Sequence, residues 1–376
     1  MSPQNLSLAP PERIPELDGL RGIAVLMVLA WHFVGVMVDP GAAPWEFAAY
    51  HALRLGRTGV DLFFVLSGFL ITGIVLDRRR PARQFLSSFY LRRSLRILPP
   101  YFALVGIFWM LVAAGLSIRG VNDQTPIWYH LTLTQNWWMA AHQTFGPDAL
   151  SVTWSVAIEE QYYLLAPLVL LCLPKRYIPA FLVLIAVASA LFRAWIYSGP
   201  TTVISAYILT PSRLDGLAVG GLLAWSWRHP AARAWLGARA RALACLTVVG
   251  LIGMAGLAAM MMRDLAWHMF SWGHTYLALL SVLVIACALL HTGSAAMRPL
   301  RHPPLRFIGS ISYSLYLFHP CIFGAAILLF GHKPVAGEWR DWLMVLGALA
   351  VSFAVCAASM ALVEARLISY GRRFRY

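Results

Sequence analysis

Apolar residues run along this chain in long unbroken blocks separated by short, polar, arginine-rich joints. The first block follows LDGLR at 17–21 and continues as GIAVLMVLAW up to His32 without another charge. Blocks of this kind predict ten membrane-crossing helices, at about 20–38, 59–76, 97–117, 152–173, 178–197, 203–227, 242–262, 270–291, 307–330 and 342–363. Each is near the roughly 20 residues that a helix needs to cross a bilayer, and none alternates as a barrel strand would. The pattern predicts an all-α, polytopic helical membrane protein with both termini on one side. It divides into a tail at 1–16, one transmembrane domain at 17–365 and a basic tail at 366–376. The first block is read as a retained span, since it follows a polar tail, contains Trp31 and His32 and lacks a small-residue cleavage site.

Composition agrees, with 60% of residues hydrophobic and only 12% charged. A net charge of +14 would suggest a nucleic-acid partner in a soluble chain. Here the positions of the charges decide otherwise. Twenty cations, from Arg78 to Arg375, fall in the loops on the side of the termini; six, Arg54, Arg57, Arg119, Arg263, Lys333 and Arg340, fall opposite. The positive-inside rule then puts both termini in the cytoplasm of a multi-pass inner-membrane protein, in contact with the lipid bilayer and with no nucleic acid. The five cysteines lie within apolar blocks at no metal-ligand spacing, so neither a disulfide framework nor a metal site is expected. Two stretches depart from the simple pattern. TPSRLDG at 210–216 puts Pro211, Arg213 and Asp215 inside the sixth span, which suits a broken helix lining a cavity. The segment 119–150, with WYHLTLTQNWW, suits either an interfacial aromatic belt or a lid over an outward cavity.

Ionisable residues within the apolar blocks are the candidates for chemistry. Arg21 and His32 are eleven residues apart. At about 100° per residue this is within roughly 20° of three full turns, so the two share a helical face, roughly 16 Å apart along it. Asp61, in GRTGVDLFFVLSGFLIT, lies either in the headgroup region or within the protein; Gly59, Ser67 and Gly68 beside it read as close-packing residues. In YLRRSLRILPPYF, Arg93 and Arg96 are helical neighbours and Arg92 adds a third guanidinium, just before Pro99-Pro100, which are expected to break the helix. Forked donors of this kind match phosphates and pyrophosphates, although isolated arginines would read as cytoplasmic anchors. Glu159 and Glu160 point about 100° apart, so one is expected to face a cavity and the other a neighbouring helix or an arginine. His319 sits roughly 18 Å deep in FIGSISYSLYLFHP, a depth like that of His32, with Ser312, Tyr313 and Tyr316 on the same span. Glu364 is expected in an ion pair with a cytoplasmic arginine. There is no lysine-bearing phosphate loop, no HExxH and no GxSxG. Any chemistry must come from histidine, carboxylates and arginines converging inside the membrane.

Seven stretches, LDGLRGIAVLMVLAWHF, GVDLFFVLSGFLIT, LRRSLRILPPYF, WSVAIEEQYY, SRLDGLAVGGLLA, ISYSLYLFHP and VEARL, stand in the order found in the acyltransferase-3 family of integral-membrane O-acyltransferases, which the chain resembles along nearly its whole length. The resemblance implies transfer of an acyl group, commonly acetyl, from cytoplasmic acyl-coenzyme A to a hydroxyl-bearing acceptor: a carbohydrate, envelope glycan, lipid-linked sugar or secondary metabolite. The enzyme implied is an acyl-CoA-dependent O-acyltransferase transferring groups other than aminoacyl. The family's arginine and histidine, separated by ten residues in the first span, fall on Arg21 and His32, and its Arg-x-x-Arg pair falls on Arg93 and Arg96. His32 is then expected as the catalytic base, with Glu159 and Glu160 as further catalytic candidates and Arg21, Arg92, Arg93 and Arg96 gripping the donor. Asp61, Arg213, Asp215, Tyr313 and His319 are expected as substrate-binding or structural polar residues. Some members carry an appended extracytoplasmic esterase-like domain; none is expected here, so the activity is expected in the membrane region. The alternative from another class is a polytopic transporter or flippase, suggested by the intramembrane charges and the broken sixth span.

Overall fold

The computed structural model describes residues 14–115, 125–197, 202–261 and 268–374, without the side chains of 258–261. Arg119, Arg263 and Arg375 of the charge pattern, residues 1–13 of the first tail and 119–124 of the aromatic segment lie outside the described residues.

No β-strand occurs among the described residues. Helix α1 (Pro15–Leu29) runs into a π-helical turn at Ala30–Val34; α2 (Pro44–Arg54) leads through a tight turn into α3 (Gly59–Leu76). There follow α4 (Ala82–Ala113), the short α5 (Ile127–Leu131) and α6 (Gln135–Ala141), α7 (Thr153–Cys172) and α8 (Ile178–Ile196). The second half holds α9 (Val203–Ile208), α10 (Thr210–Arg228), α11 (Pro230–Ala238) and α12 (Ala240–Met261). It closes with α13 (His274–Leu290), α14 (Pro303–Phe330), α15 (Trp339–Ser359) and α16 (Ala365–Gly371). Among the described residues nine helical stretches are long and apolar enough to cross a membrane, which makes this a polytopic helical membrane protein.

The predicted sixth span is not one helix. Leu209 adopts an extended conformation (φ −67°, ψ 137°) between α9 and α10, and Pro211 falls in the first turn of α10, where a missing N–H removes no helical bond. Asn136 of α6 donates to the Ile208 carbonyl at 3.1 Å and to the Thr210 hydroxyl at 2.9 Å, so polar groups at the break are satisfied internally. The third span differs in the opposite sense. Pro99 and Pro100 do not break it; α4 runs through both. Membrane helices carry such prolines where neighbouring groups and local adjustment serve the freed carbonyls.

The interior around α10 is charged and paired. Asp61 of α3, only 5% exposed, accepts from Arg213 of α10 at 2.6 Å and faces His274 of α13 at 3.3 Å. Arg193 of α8 donates to Asp215 of α10 at 2.9 Å and to the carbonyls of Ser212 and Phe270. Asp61 therefore lies within the protein and not among headgroups. Close helix approach makes these pairs possible: a Cβ on Gly68 of α3 would run into the Leu217 carbonyl of α10. Glu364 also departs from expectation. It is buried and accepts from the hydroxyls of Ser314 and Ser359, each at 2.7 Å, with no ion pair among the described residues.

Candidate active site

The π-helical turn at Ala30–Val34 carries His32. Such turns interrupt the regular ladder and recur at functional sites. The Nδ1 of His32 lies 3.0 Å from the Val28 carbonyl, and since a carbonyl can only accept, Nδ1 carries the hydrogen and Nε2 holds the lone pair of the neutral ring. The ring lines a cavity of about 290 Å³ together with Val28, Trp31, Arg57, Val60, Trp154, Tyr207 and Tyr316. Phe145 and Asp148, from the end of the aromatic segment, contribute to the same wall, with Ser151 and Val152 just beyond it.

A second, tighter cavity of about 60 Å³ lies beside it. Arg21 of α1 and Arg93 and Arg96 of α4 line it, with Ser67 of α3, Glu159 and Tyr163 of α7, and Ser312 and Tyr313 of α14. Val60 and Tyr316 line both cavities, so the two meet at these side chains. Arg21 and His32 thus face adjoining spaces instead of a single one, Arg21 on α1 and His32 on the π turn that follows it.

Polar side chains hold this inner cavity in shape. The Tyr163 hydroxyl donates to Ser67 Oγ at 2.8 Å, and Ser67 Oγ donates to Glu159 Oε1 at 2.6 Å. Tyr313 donates to the Ile97 carbonyl at 3.0 Å, and Tyr316 shares a 2.6 Å hydrogen bond with Ser155. The Arg93 guanidinium stands 5.3 Å over the Tyr163 ring, and Arg21 Nε is buried without a hydrogen-bond partner among the described residues. Three guanidiniums facing one carboxylate leave a formal excess of positive charge, which an anionic ligand would neutralise.

The remaining predicted residues are distributed as follows. Arg92 lies beside Gly371 of α16 and lines neither cavity. Glu160 turns away from Glu159 as the helical angle requires, and its Oε1 is buried without a partner among the described residues. Asp61, Arg213 and Asp215 belong to the ion-pair network; Arg213 stands 5.3 Å over the Tyr207 ring, whose other surroundings include the His32 cavity. His319 is fully buried with its ring centroid 4.8 Å from that of His32.

Several site residues were not singled out from the sequence. Arg57, counted as a loop cation, stands 4.9 Å over Tyr207 and lines the His32 cavity. Ser67, read as a packing residue, is the donor to Glu159. Arg193 and His274 complete the ion-pair network, and each is an ionisable residue in an apolar block, a signal that was available. Ser155 and Trp154 carried no such signal, since serine and tryptophan are ordinary in membrane helices.

An acyltransferase-domain family matches residues 14–362. The chain is similar to the O-acetyltransferase OatA of Staphylococcus aureus, 29% identical over 326 residues, covering 82% of this chain and 50% of the relative. It is also similar to the peptidoglycan O-acetyltransferase OatA of Listeria monocytogenes, 28% identical over 369 residues, covering 93% and 55%. The chain thus spans about half the length of these curated relatives. No solved structure gives a significant match. On the extent of the family match, the chain belongs to the acyltransferase-3 family of membrane acyltransferases.

Proposed function

We propose that this protein is an acyl-CoA-dependent O-acyltransferase that moves an acyl group, commonly acetyl, to a hydroxyl of an envelope glycan or a related carbohydrate. The observation that carries the reading is the junction, at Val60 and Tyr316, of a cavity lined by Arg21, Arg93 and Arg96 with the cavity of His32. Coenzyme A is a polyanion on a long thin arm. The guanidiniums suit its phosphates, and the buried unpartnered Nε of Arg21 is a donor waiting for an acceptor. The donor enters from the arginine-rich, cytoplasmic side. The larger cavity, walled by Trp31, Trp154 and Tyr207, suits the apolar faces of a sugar ring.

In the reaction, His32 Nε2 takes the proton of the acceptor hydroxyl while the oxygen forms its bond to the thioester carbonyl carbon; the C–S bond then breaks and coenzyme A leaves as the thiol after regaining that proton. The alternative route acylates Nε2 first and transfers the group from there. The two routes differ in whether labelled acetyl becomes protein-bound before acceptor is added.

The test uses the purified full chain in detergent with labelled acetyl-CoA and a total glycan extract of the host envelope. His32→Ala is expected to abolish label transfer and release of free coenzyme A. Arg93→Ala with Arg96→Ala is expected to raise the KM for acetyl-CoA at least tenfold. Wild-type transfer by His32→Ala would overturn the reading, and solute flux across proteoliposomes of the same protein without thioester consumption would favour a transporter.

A further inference from the structure

The His32 ring is not alone. About three turns from the end of α14, His319 meets it with ring centroids 4.8 Å apart and ring planes inclined at 55°. The two histidines come from different helices yet are held in the same way. His319 Nδ1 lies 3.0 Å from the Leu315 carbonyl four residues back, as His32 Nδ1 lies 3.0 Å from that of Val28. Each Nδ1 therefore donates to its own helix, and each neutral ring keeps its lone pair on Nε2. His319 is 0% exposed, and its Nε2 has no hydrogen-bond partner among the described residues. A buried acceptor without a donor is costly, so its retention calls for an explanation.

The neighbours narrow the choice. Around the pair lie the rings of Phe33, Phe323 and Tyr316; the charged groups facing His32 across its cavity are Arg57 and Asp148, and the further phenol there is Tyr207. The Tyr316 hydroxyl is engaged with Ser155 and the Val152 carbonyl. His319 lines neither cavity, so it does not reach the reacting groups directly. What it does reach is His32.

We propose that His319 is a positioning residue whose neutral ring, packed against His32 with its Nε2 lone pair free, stabilises the imidazolium by charge–dipole attraction once His32 Nε2 has taken the acceptor's proton, holding it in place until that proton passes to the departing thiolate. No bond to carbon is made by His319, and the proton count of the transfer is unchanged. The pair explains why an orphan nitrogen is kept in an otherwise aromatic pocket: the positive charge it serves exists only while the proton is in transit. The inference rests on His32 being the base, as argued above.

The discriminating comparison is His319→Phe against His319→Gln, in the full chain, with labelled acetyl-CoA and a total glycan extract of the host envelope. Phe keeps the aromatic volume among Phe33 and Phe323 but has no acceptor; Gln loses the ring but keeps an acceptor. Loss of a polar contact to a charged group sets an expected fall in kcat of about 10- to 100-fold for His319→Phe, with the KM for acetyl-CoA within twofold of wild type. His319→Gln is expected to recover most of that loss. A purely structural role predicts the reverse order, with Phe the better substitute. Reverse order, equal losses, or wild-type kcat in His319→Phe would overturn the proposal while leaving His32 as base; wild-type transfer in His32→Ala would instead overturn the reading beneath it.

Discussion

Replacing Asp215 by alanine tests whether the buried ion pairs hold the site's scaffold together. Asp215 Oδ2 accepts from Arg193 Nη1 at 2.9 Å and from the Thr275 hydroxyl at 2.8 Å, and Oδ1 accepts from the Gly216 amide at 3.0 Å. Removing the carboxylate leaves Arg193, 0% exposed, as a full charge with no counter-ion in contact among the described residues. Stripping one partner from a buried pair costs about 3–5 kcal/mol. Arg193 keeps the Ser212 and Phe270 carbonyls and the Thr275 hydroxyl, which favours the lower end. A loss of about 3 kcal/mol, on the order of 100-fold in the unfolding constant, is expected. It would be read from reversible unfolding in mixed micelles titrated with sodium dodecyl sulfate. The double variant Arg193→Met, Asp215→Leu removes both charges and fills the space with apolar atoms, so most of the loss should return. A loss below about 1 kcal/mol in Asp215→Ala, or a double variant no more stable than the single one, would refute the reasoning.

Three further outcomes can be checked. Gly68→Ala places a Cβ 2.7 Å from the Leu217 carbonyl carbon, backbone that cannot swing aside, and should lose about 1–3 kcal/mol in the same titration. Gly106→Ala in α4 meets nothing within 4 Å and should be neutral or gain up to about 1 kcal/mol; equal losses at both sites would contradict the close α3–α10 contact. His130 of α5 is buried outside the membrane spans, and burial pushes its imidazole down to about 4 from an ordinary 6.5. The unfolded chain therefore binds more protons in that window, so His130 should make stability fall as pH drops from 6.5 towards 4, by about 3 kcal/mol in full, and His130→Phe should remove this share of the slope. His332 behaves oppositely. Its Nε2 lies 2.8 Å from Asp341 Oδ1, and this hydrogen bond raises its imidazole above the ordinary value. Its contribution is complete below the unfolded pKa and fades as pH rises through the folded one; Asp341→Asn should move the His332 NMR titration midpoint down, and an unmoved midpoint would exclude the pair.

Sequence alone determined the class of this protein. Unbroken apolar blocks cannot satisfy backbone hydrogen bonds in lipid except as helices, so α3, α7, α8, α12, α13, α14 and α15 were legible from composition and length. The same reasoning marked Arg21, His32, Arg93, Arg96, Glu159 and His319, because an ionisable group within such a block is costly without a purpose. What it could not supply was partnership. That His32 meets His319, that Ser67 joins Glu159 to Tyr163, and that Asp61 pairs with Arg213 are contacts between helices far apart in the chain, fixed by packing and not by local spacing. The prolines show the same limit from the other side. Pro99 and Pro100 have a local preference to end a helix, yet α4 continues through them, whereas the break at Leu209 is served by Asn136, 73 positions earlier. Local chemistry set which residues would be expensive to bury; only the tertiary structure decided which neighbours would offset that cost.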